Sequence, residues 1–407
     1  MNTEVNLYVY TVFDHGGGLK VGRLLSRNLR LAHRGGYEGF FQYDPGYLSD
    51  SRAYAIDPVN LPLRAGVFSA MRPEVGIHGV FSDSLPGRWG ERLLAAKADI
   101  HRSHYAPAHL LECLGRGGLG ALLYSPEHSL SEINPEDDSL EFADLAKALE
   151  EAGHYEKTLD PAELKFLISG GYSAGGARPK LLVRLDGEAY LAKFSSIHDQ
   201  GPGVNVELEA AGLALGRLAG LEVPDFRIVV VRDRPVLLVK RFDVLPKGGR
   251  RAMISFRTLL SAYDDLARVS YGDLSEILKR VSADPRGDCE KLFKQMVLNV
   301  LIINTDDHLQ NFSMLHDSDG WRLSPAYDLV PALPRDQQLL RIGGGHADLV
   351  ADDLIAEGRL FGFSRPRCKK LINEVLEKTT GWHELISEPE TRSRLEKRRN
   401  FICRSHL

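Results

Sequence analysis

The sequence predicts an α+β protein of two lobes, and three observations predict it. Short β-branched and aromatic segments with turn signals fill much of the first 240 residues. An Asp-Gly hairpin cue joins two such segments at Asp186-Gly187. Beyond Asp243 the patterning is mostly helical, with an apolar run at Leu292–Ile303 leading into a polar loop. The 407 residues are enough for two or three structural units with a sizeable core.

The elements follow in order. Leu7–Phe13 reads as a strand ending at the turn Asp14–Gly18, with further strands at Val21–Leu24 and Gly39–Tyr43. Helical patterns cover Leu85 to about Ala98 and Ala108–Leu114, the second breaking at Gly115–Gly118. Residues 1–125 therefore form a small β-rich unit. Residues 126–160, with Asn134-Pro135-Glu136-Asp137-Asp138 and Glu150-Glu151, read as a solvated acidic connector holding one amphipathic helix around Leu140–Ala152. Lys180–Leu185 and Ala189–Phe194 form the Asp-Gly hairpin. A helix at Val206–Leu218 and strands at Phe226–Val231 and Val236–Lys240 follow. These complete a unit over 161–242, with a helical one over 243–407.

Composition narrows the function classes. The net charge of −4 disfavours direct nucleic-acid binding, which usually needs a basic surplus. No apolar run reaches the ~20 residues that span a bilayer. Met1–Val5 has neither a basic nor an apolar signal region, so no signal peptide is expected. Cys113, Cys289, Cys368 and Cys403 are scattered without a Cys-x-x-Cys pair and read as reduced thiols. A cytoplasmic location is expected.

Several segments could carry chemistry. Ser169–Lys180 holds four glycines and two serines ahead of a strand, so its backbone N–H groups could approach an anion; an ordinary turn has the same composition. It matches neither Walker A nor G-x-G-x-x-G. Lys193, among Leu191, Ala192 and Phe194, should be partly desolvated and need an anionic partner, unless it reaches to water from a strand edge. Glu207 and Glu209 on the next helix are both candidates.

Asn304–Phe312 gives the strongest signal. Asp306 and Asn311 have the Asp-x-x-x-x-Asn spacing of a kinase catalytic loop, in which a carboxylate orients the attacking hydroxyl and an amide oxygen binds magnesium. Asp328 follows a hairpin (Ser313–His316, Trp321–Leu323), where a metal-binding carboxylate belongs. A hydrolytic metal centre built from Asp307, His308, His346 and Asp348 lacks ligand spacing, and His308 reads instead as a hydrogen bonder that organises the loop. Gly343-Gly344-Gly345 reads as a flexible turn. Glycine-rich loop, strand lysine, helix glutamate, Asp-x4-Asn loop and metal aspartate is the order of parts a phosphotransferase needs.

Ser173–Lys180, Ala192-Lys193-Phe194, Lys240–Asp243, Thr305–Phe312 and Ala326-Tyr327-Asp328 together resemble the HipA family of serine/threonine kinase toxins. Phe81–Pro86 and Leu114–Ala121 resemble that family's N-terminal subdomain, so the likeness covers most of the chain. The resemblance implies a bilobed protein-kinase-like fold. It implies ATP contacts from Gly175, Gly176, Ala177, Arg178, Pro179, Lys180 and Lys193, with His308, Asn311 and Asp328 also at the nucleotide and Lys240, Arg241 and Phe242 as the hinge beside adenine. It makes Asp306 the base, Asn311 and Asp328 the Mg2+ ligands, and Ser173 an autophosphorylation site; Glu209 is taken as the partner of Lys193, with Glu207 the alternative. A small DNA-binding antitoxin of the HipB type is the implied partner, and an aminoacyl-tRNA synthetase the implied class of target. Arg178-Pro179 and Lys240 depart from the pattern, where a Gln-Glu pair and a hinge glutamate would be expected. A small-molecule kinase and a nucleotide-binding module without catalysis are the rival readings.

Overall fold

The computed structural model describes residues 4–29, 36–70, 75–97, 106–115, 117–128, 139–158, 166–167, 180–196, 203–262, 269–335, 337–345 and 348–404. Two compact units emerge, 1–203 with 229–254, and 204–228 with 255–407.

The first unit opens with a five-stranded sheet ordered β4-β3-β2-β1-β5. Its strands are β1 (Glu4–Val12), β2 (Gly18–Leu29), β3 (Gly36–Tyr43), β4 (Val67–Ser69) and β5 (Leu122–Ser125). Phe41, Tyr43, Tyr47 and Phe81 are fully buried on it. Two of the phenols keep hydrogen bonds there: Tyr43 donates to the Leu61 carbonyl at 2.7 Å and Tyr47 to that of Tyr54 at 2.9 Å. The Pro107–Leu114 helix ends at Gly115, whose φ of 54° suits glycine.

A second sheet runs β6-β7-β8-β10-β9. Here β6 is Leu140–Glu141, β7 Lys180–Leu185, β8 Glu188–Phe194, β9 Phe226–Val231 and β10 Arg234–Lys240. Asp186 and Gly187 both take positive φ (54° and 79°), the type I′ geometry that the Asp-Gly pair foretells. Residues 139–158 correct the linker reading. They form β6, paired parallel to β7, and a helix at Leu145–Thr158. The helix therefore starts five residues later than the pattern around Leu140 suggests. Leu145, Ala148, Leu149, Ala152 and Tyr155 pack with Leu181, Val183, Ala192 and Leu238. Burying a large apolar side chain is worth ~1.5–3 kcal/mol, so this stripe outweighs the acidic composition. Glu151 is not idle solvated charge either, since its carboxylate accepts the N–H groups of Phe166 and Leu167 at 2.9–3.1 Å.

The second unit is built round the Pro285–Leu301 helix, N-capped by Asp284, with Leu292, Phe293, Met296 and Val297 fully buried. Following β11 (Ala252–Ser255), the strands β12 (Ser313–Asp317) and β13 (Gly320–Leu323) form the expected hairpin. Buried Asp288 holds it, accepting from Arg322 Nε at 3.1 Å and from the Leu323 N–H at 2.8 Å. Among the described residues no helix is long and apolar enough to cross a membrane.

Candidate active site

The central loop begins where the Pro285–Leu301 helix stops. Asn304 N–H reaches back to the Asn299 carbonyl at 2.8 Å and Ile303 N–H to that of Val300 at 3.3 Å, a Schellman-type ending. The left-handed position that glycine usually fills is taken by Ile303, with φ 56°. A β-branched residue pays for that conformation, about 1–3 kcal/mol, and the surroundings must hold it there.

Asp306 follows, half exposed, its carboxylate 3.9 Å from His308 Nε2 and 3.8 Å from Arg335 Nη1. Asn311 is buried, and its Nδ2 donates to the Asp306 carbonyl at 2.8 Å. Only the amide nitrogen can donate, so this bond fixes which end of the side chain is oxygen. Oδ1 is left as an acceptor, the atom type a hard cation takes.

Asp307 does a different job. It is buried, accepts from Tyr271 Oη at 2.8 Å and from the Leu339 N–H at 2.7 Å, and burial pushes its carboxyl up to about 6. Tyr271 accepts from Asn299 Nδ2 at 3.0 Å, and Asn304 Nδ2 donates to Asn299 Oδ1 at 3.1 Å and to the Asp328 carbonyl at 3.3 Å. Burial, with Asp307 beside it, raises the Tyr271 hydroxyl well above the ordinary phenol value. A continuous buried network thus ties the Asp306 loop to the backbone of Asp328, which itself has φ 52°.

His308 bonds within the loop through its main chain rather than through Nδ1. Nδ1 is buried without a hydrogen-bond partner, and it is the main-chain carbonyl of His308 that accepts Asn311 N–H, at 2.8 Å. Asn304 Oδ1 and Thr305 Oγ1 are likewise buried without partners, so the loop keeps bonding capacity that the described residues do not use. Gly343 of the triple-glycine turn takes φ 53° and donates to buried Glu357 at 3.1 Å.

The Val204–Leu218 helix packs on the Asp328 segment through Gly212, where an added Cβ would lie 1.8 Å from the Leu329 carbonyl oxygen. No sequence motif marks Gly212. Its neighbour by one turn is half-buried Glu209, whereas Glu207 is exposed and lines a cleft with Leu385, Ile386 and Glu388.

The first unit holds the remaining expected residues. Lys193 on β8 is buried, and Lys180 on β7 is its direct cross-strand partner. Lys240 bonds Glu188 at 2.8 Å. Arg241, expected beside a nucleotide, is buried and bidentate to Asp243, Nε to Oδ1 at 3.0 Å and Nη2 to Oδ2 at 2.6 Å. It also donates to Gly118 at 3.1 Å, while Gly120 N–H donates to Asp243 at 2.7 Å. That side chain is a structural tie to the glycine-rich turn after the Pro107–Leu114 helix, which leaves the backbone of Arg241 for the expected hinge. Burial would raise the Asp243 carboxyl, but the Arg241 guanidinium outweighs it and holds it below the usual range. Ser173, Gly175, Gly176, Ala177, Arg178, Pro179 and His346 lie outside the described residues.

A divalent cation of the magnesium type suits this donor set. Mg2+ takes one or two carboxylates plus phosphate oxygens and water, and a carboxylate such as Asp328 and an amide oxygen such as Asn311 Oδ1 are donors of those types. A cluster of three or more His, Cys, Asp or Glu side chains, as zinc or calcium would want, does not occur among the described residues.

Comparison with known proteins follows this geometry. The chain is 28% identical over 370 residues to "Putative kinase Y4mE" of Sinorhizobium fredii, covering 83% of this chain and 84% of that one. It is 24% identical over 312 residues to "Putative kinase Y4dM" of the same organism, covering 72% of each. Among solved structures it is similar to HipA of Shewanella oneidensis MR-1, solved in a toxin–antitoxin complex with HipB and operator DNA. The TM-score is 0.70 at 18% identity, over 97% of this chain and 95% of that one. The model of the HipA N-terminal domain matches residues 19–125, and that of the HipA-like C-terminal domain matches residues 172–382, more than half of the chain. The chain belongs to the HipA family, and its α+β architecture is that family's kinase-like fold.

Proposed function

We propose that the chain is an ATP- and Mg2+-dependent protein serine/threonine kinase of the HipA toxin type. The observation that carries the reading is the closed Asp306–Asn311 loop, with Asn311 Nδ2 spent on the Asp306 carbonyl. That bond leaves one exposed carboxylate and one oriented amide oxygen on a single rigid loop. Asp306 accepts or orients the proton of the acceptor hydroxyl, a contribution of typically 10²–10⁴-fold. Asn311 and Asp328 would hold the cation, which supplies charge neutralisation on the phosphates when bound. Lys193 and Lys180 bind phosphate oxygens, and Glu209 rather than solvent-facing Glu207 steadies Lys193. The backbone of Lys240–Phe242 lies beside adenine, and the 175–180 loop covers the phosphates.

The relatives named as kinases and the toxin–antitoxin neighbour support this reading. The toxin–antitoxin neighbour also supports a HipB-type antitoxin as partner; a protein target such as an aminoacyl-tRNA synthetase and self-modification at Ser173 complete the proposal. The test is to incubate the purified chain with labelled ATP and Mg2+ and map the product by mass spectrometry. One phosphate on Ser173, absent from Ser173→Ala, supports self-modification at that serine. Label appearing only on a metabolite from cell extract points to a small-molecule kinase.

A further inference from the structure

We propose that Arg394, on the Pro389–Arg404 helix, is a positioning residue that sets the backbones carrying Asp306 and Asp328; this rests on the kinase reading above. Its guanidinium forks onto two successive carbonyls, Nη1 to Ala332 at 2.6 Å and Nη2 to Leu333 at 2.8 Å. The N–H groups of the same two residues donate to Ile302 at 2.8 Å and Ile303 at 3.3 Å, immediately ahead of the catalytic loop. Residues 332–333 are thus held from both sides, by the loop lead-in and by the arginine.

The held segment is strained. Ile303, Asp328 and Ala332 all have positive φ (56°, 52° and 55°), though none is glycine. Such conformations persist only where their surroundings over-determine them. Arg394 forms no ion pair among the described residues; its bonds run to these carbonyls. A lysine could serve one carbonyl but lacks the planar fork for two. The helix has other anchors: buried Leu395 and Ile402, and Arg399 bonded to Thr379 Oγ1 at 3.0 Å and to the Leu376 carbonyl at 3.1 Å. Removing Arg394 therefore loosens the segment and leaves the helix seated.

The test compares the full chain with Arg394→Ala and Arg394→Lys in three measurements: Mg-ATP phosphoryl-transfer kinetics, thermal midpoint, and hydrogen exchange over residues 302–303 and 328–333. Displacement of catalytic groups by about 1 Å can cost ~10²-fold, so Arg394→Ala should lose roughly that in kcat. At saturating Mg2+, KM for ATP should stay within about twofold, because the expected phosphate ligands Lys180 and Lys193 lie on other strands. Exchange over 328–333 should accelerate, and Arg394→Lys should fall between. Wild-type kcat in Arg394→Ala overturns the proposal, and so does unchanged exchange over 328–333. Should the wild-type chain transfer no phosphate, the kinase reading fails, and the exchange comparison alone decides for or against the arginine. Should Arg394→Ala not fold, Arg394→Lys decides by the same criteria.

Discussion

Asn311 closes the catalytic loop on Asp306, its amide nitrogen 2.8 Å from the Asp306 carbonyl oxygen. One side chain thereby ties the backbone at Asp306 and, on the proposed function, supplies a cation ligand through its other end. Asn311→Ala removes both, and the Mg2+ needed for half-maximal activity should rise by roughly 10–100-fold, read by titration at fixed ATP. Asn311→Asp keeps an oxygen ligand but cannot donate to the carbonyl, so it should remain below wild type. Unchanged Mg2+ dependence in Asn311→Ala would remove that residue from the cation site.

Asp307 should make stability depend on pH. Its folded-state value, raised to about 6 by burial, lies above the ordinary 3.8, so between about 4 and 6 the folded chain binds more protons than the unfolded one. Stability from this group therefore falls as pH rises through that window, by on the order of 2–3 kcal/mol. Urea melts of wild type and Asp307→Asn at pH 4 and pH 7 measure it. The stability advantage of wild type over the variant should be larger at pH 4, and an equal difference at both pH values contradicts the assignment.

Gly212 has no room for a methyl group. Gly212→Ala puts Cβ against a backbone oxygen, so the helix or the Asp328–Leu329 segment must shift, at about 1–3 kcal/mol. Activity should fall with it. Gly216→Ala is the control, because its Cβ would meet Leu329 Cδ1 at 2.9 Å and Val223 Cγ1 at 3.0 Å, side-chain ends that can rotate. Equal losses in the two variants would show that contact with the Leu329 carbonyl is not what matters.

The Arg241–Asp243 pair belongs to stability. Arg241→Met strands a buried carboxylate, which typically costs ~3–5 kcal/mol. Pairing it with Asp243→Leu removes the stranded charge and should recover part of the loss, although Gly120 N–H then lacks its acceptor. Denaturant unfolding of both single variants and the double variant forms the cycle. Additive losses would mean the two groups do not interact.

What was legible in the sequence was local. Asp186-Gly187 announces its hairpin because those residue types tolerate positive φ, whereas Arg232-Asp233 makes a similar turn (φ 46° and 62°) that its composition does not announce. The Asp306–Asn311 spacing could be read because both groups sit on one short loop. In the acidic stretch the helix was legible but its burial was not, because charge counts do not say what the stripe Leu145, Ala148, Leu149, Ala152 packs against. Asp307, Gly212 and Arg394 act through partners distant in the chain, and no local pattern carries such pairings.

The central claim is phosphoryl transfer with Asp306 as base, and transfer from labelled ATP by wild type and Asp306→Asn measures it. That side chain is half exposed, so the variant should keep its thermal midpoint and its nucleotide binding while the transfer rate drops ~10²–10⁴-fold. A folded, nucleotide-binding Asp306→Asn chain that transfers phosphate at the wild-type rate would contradict the account.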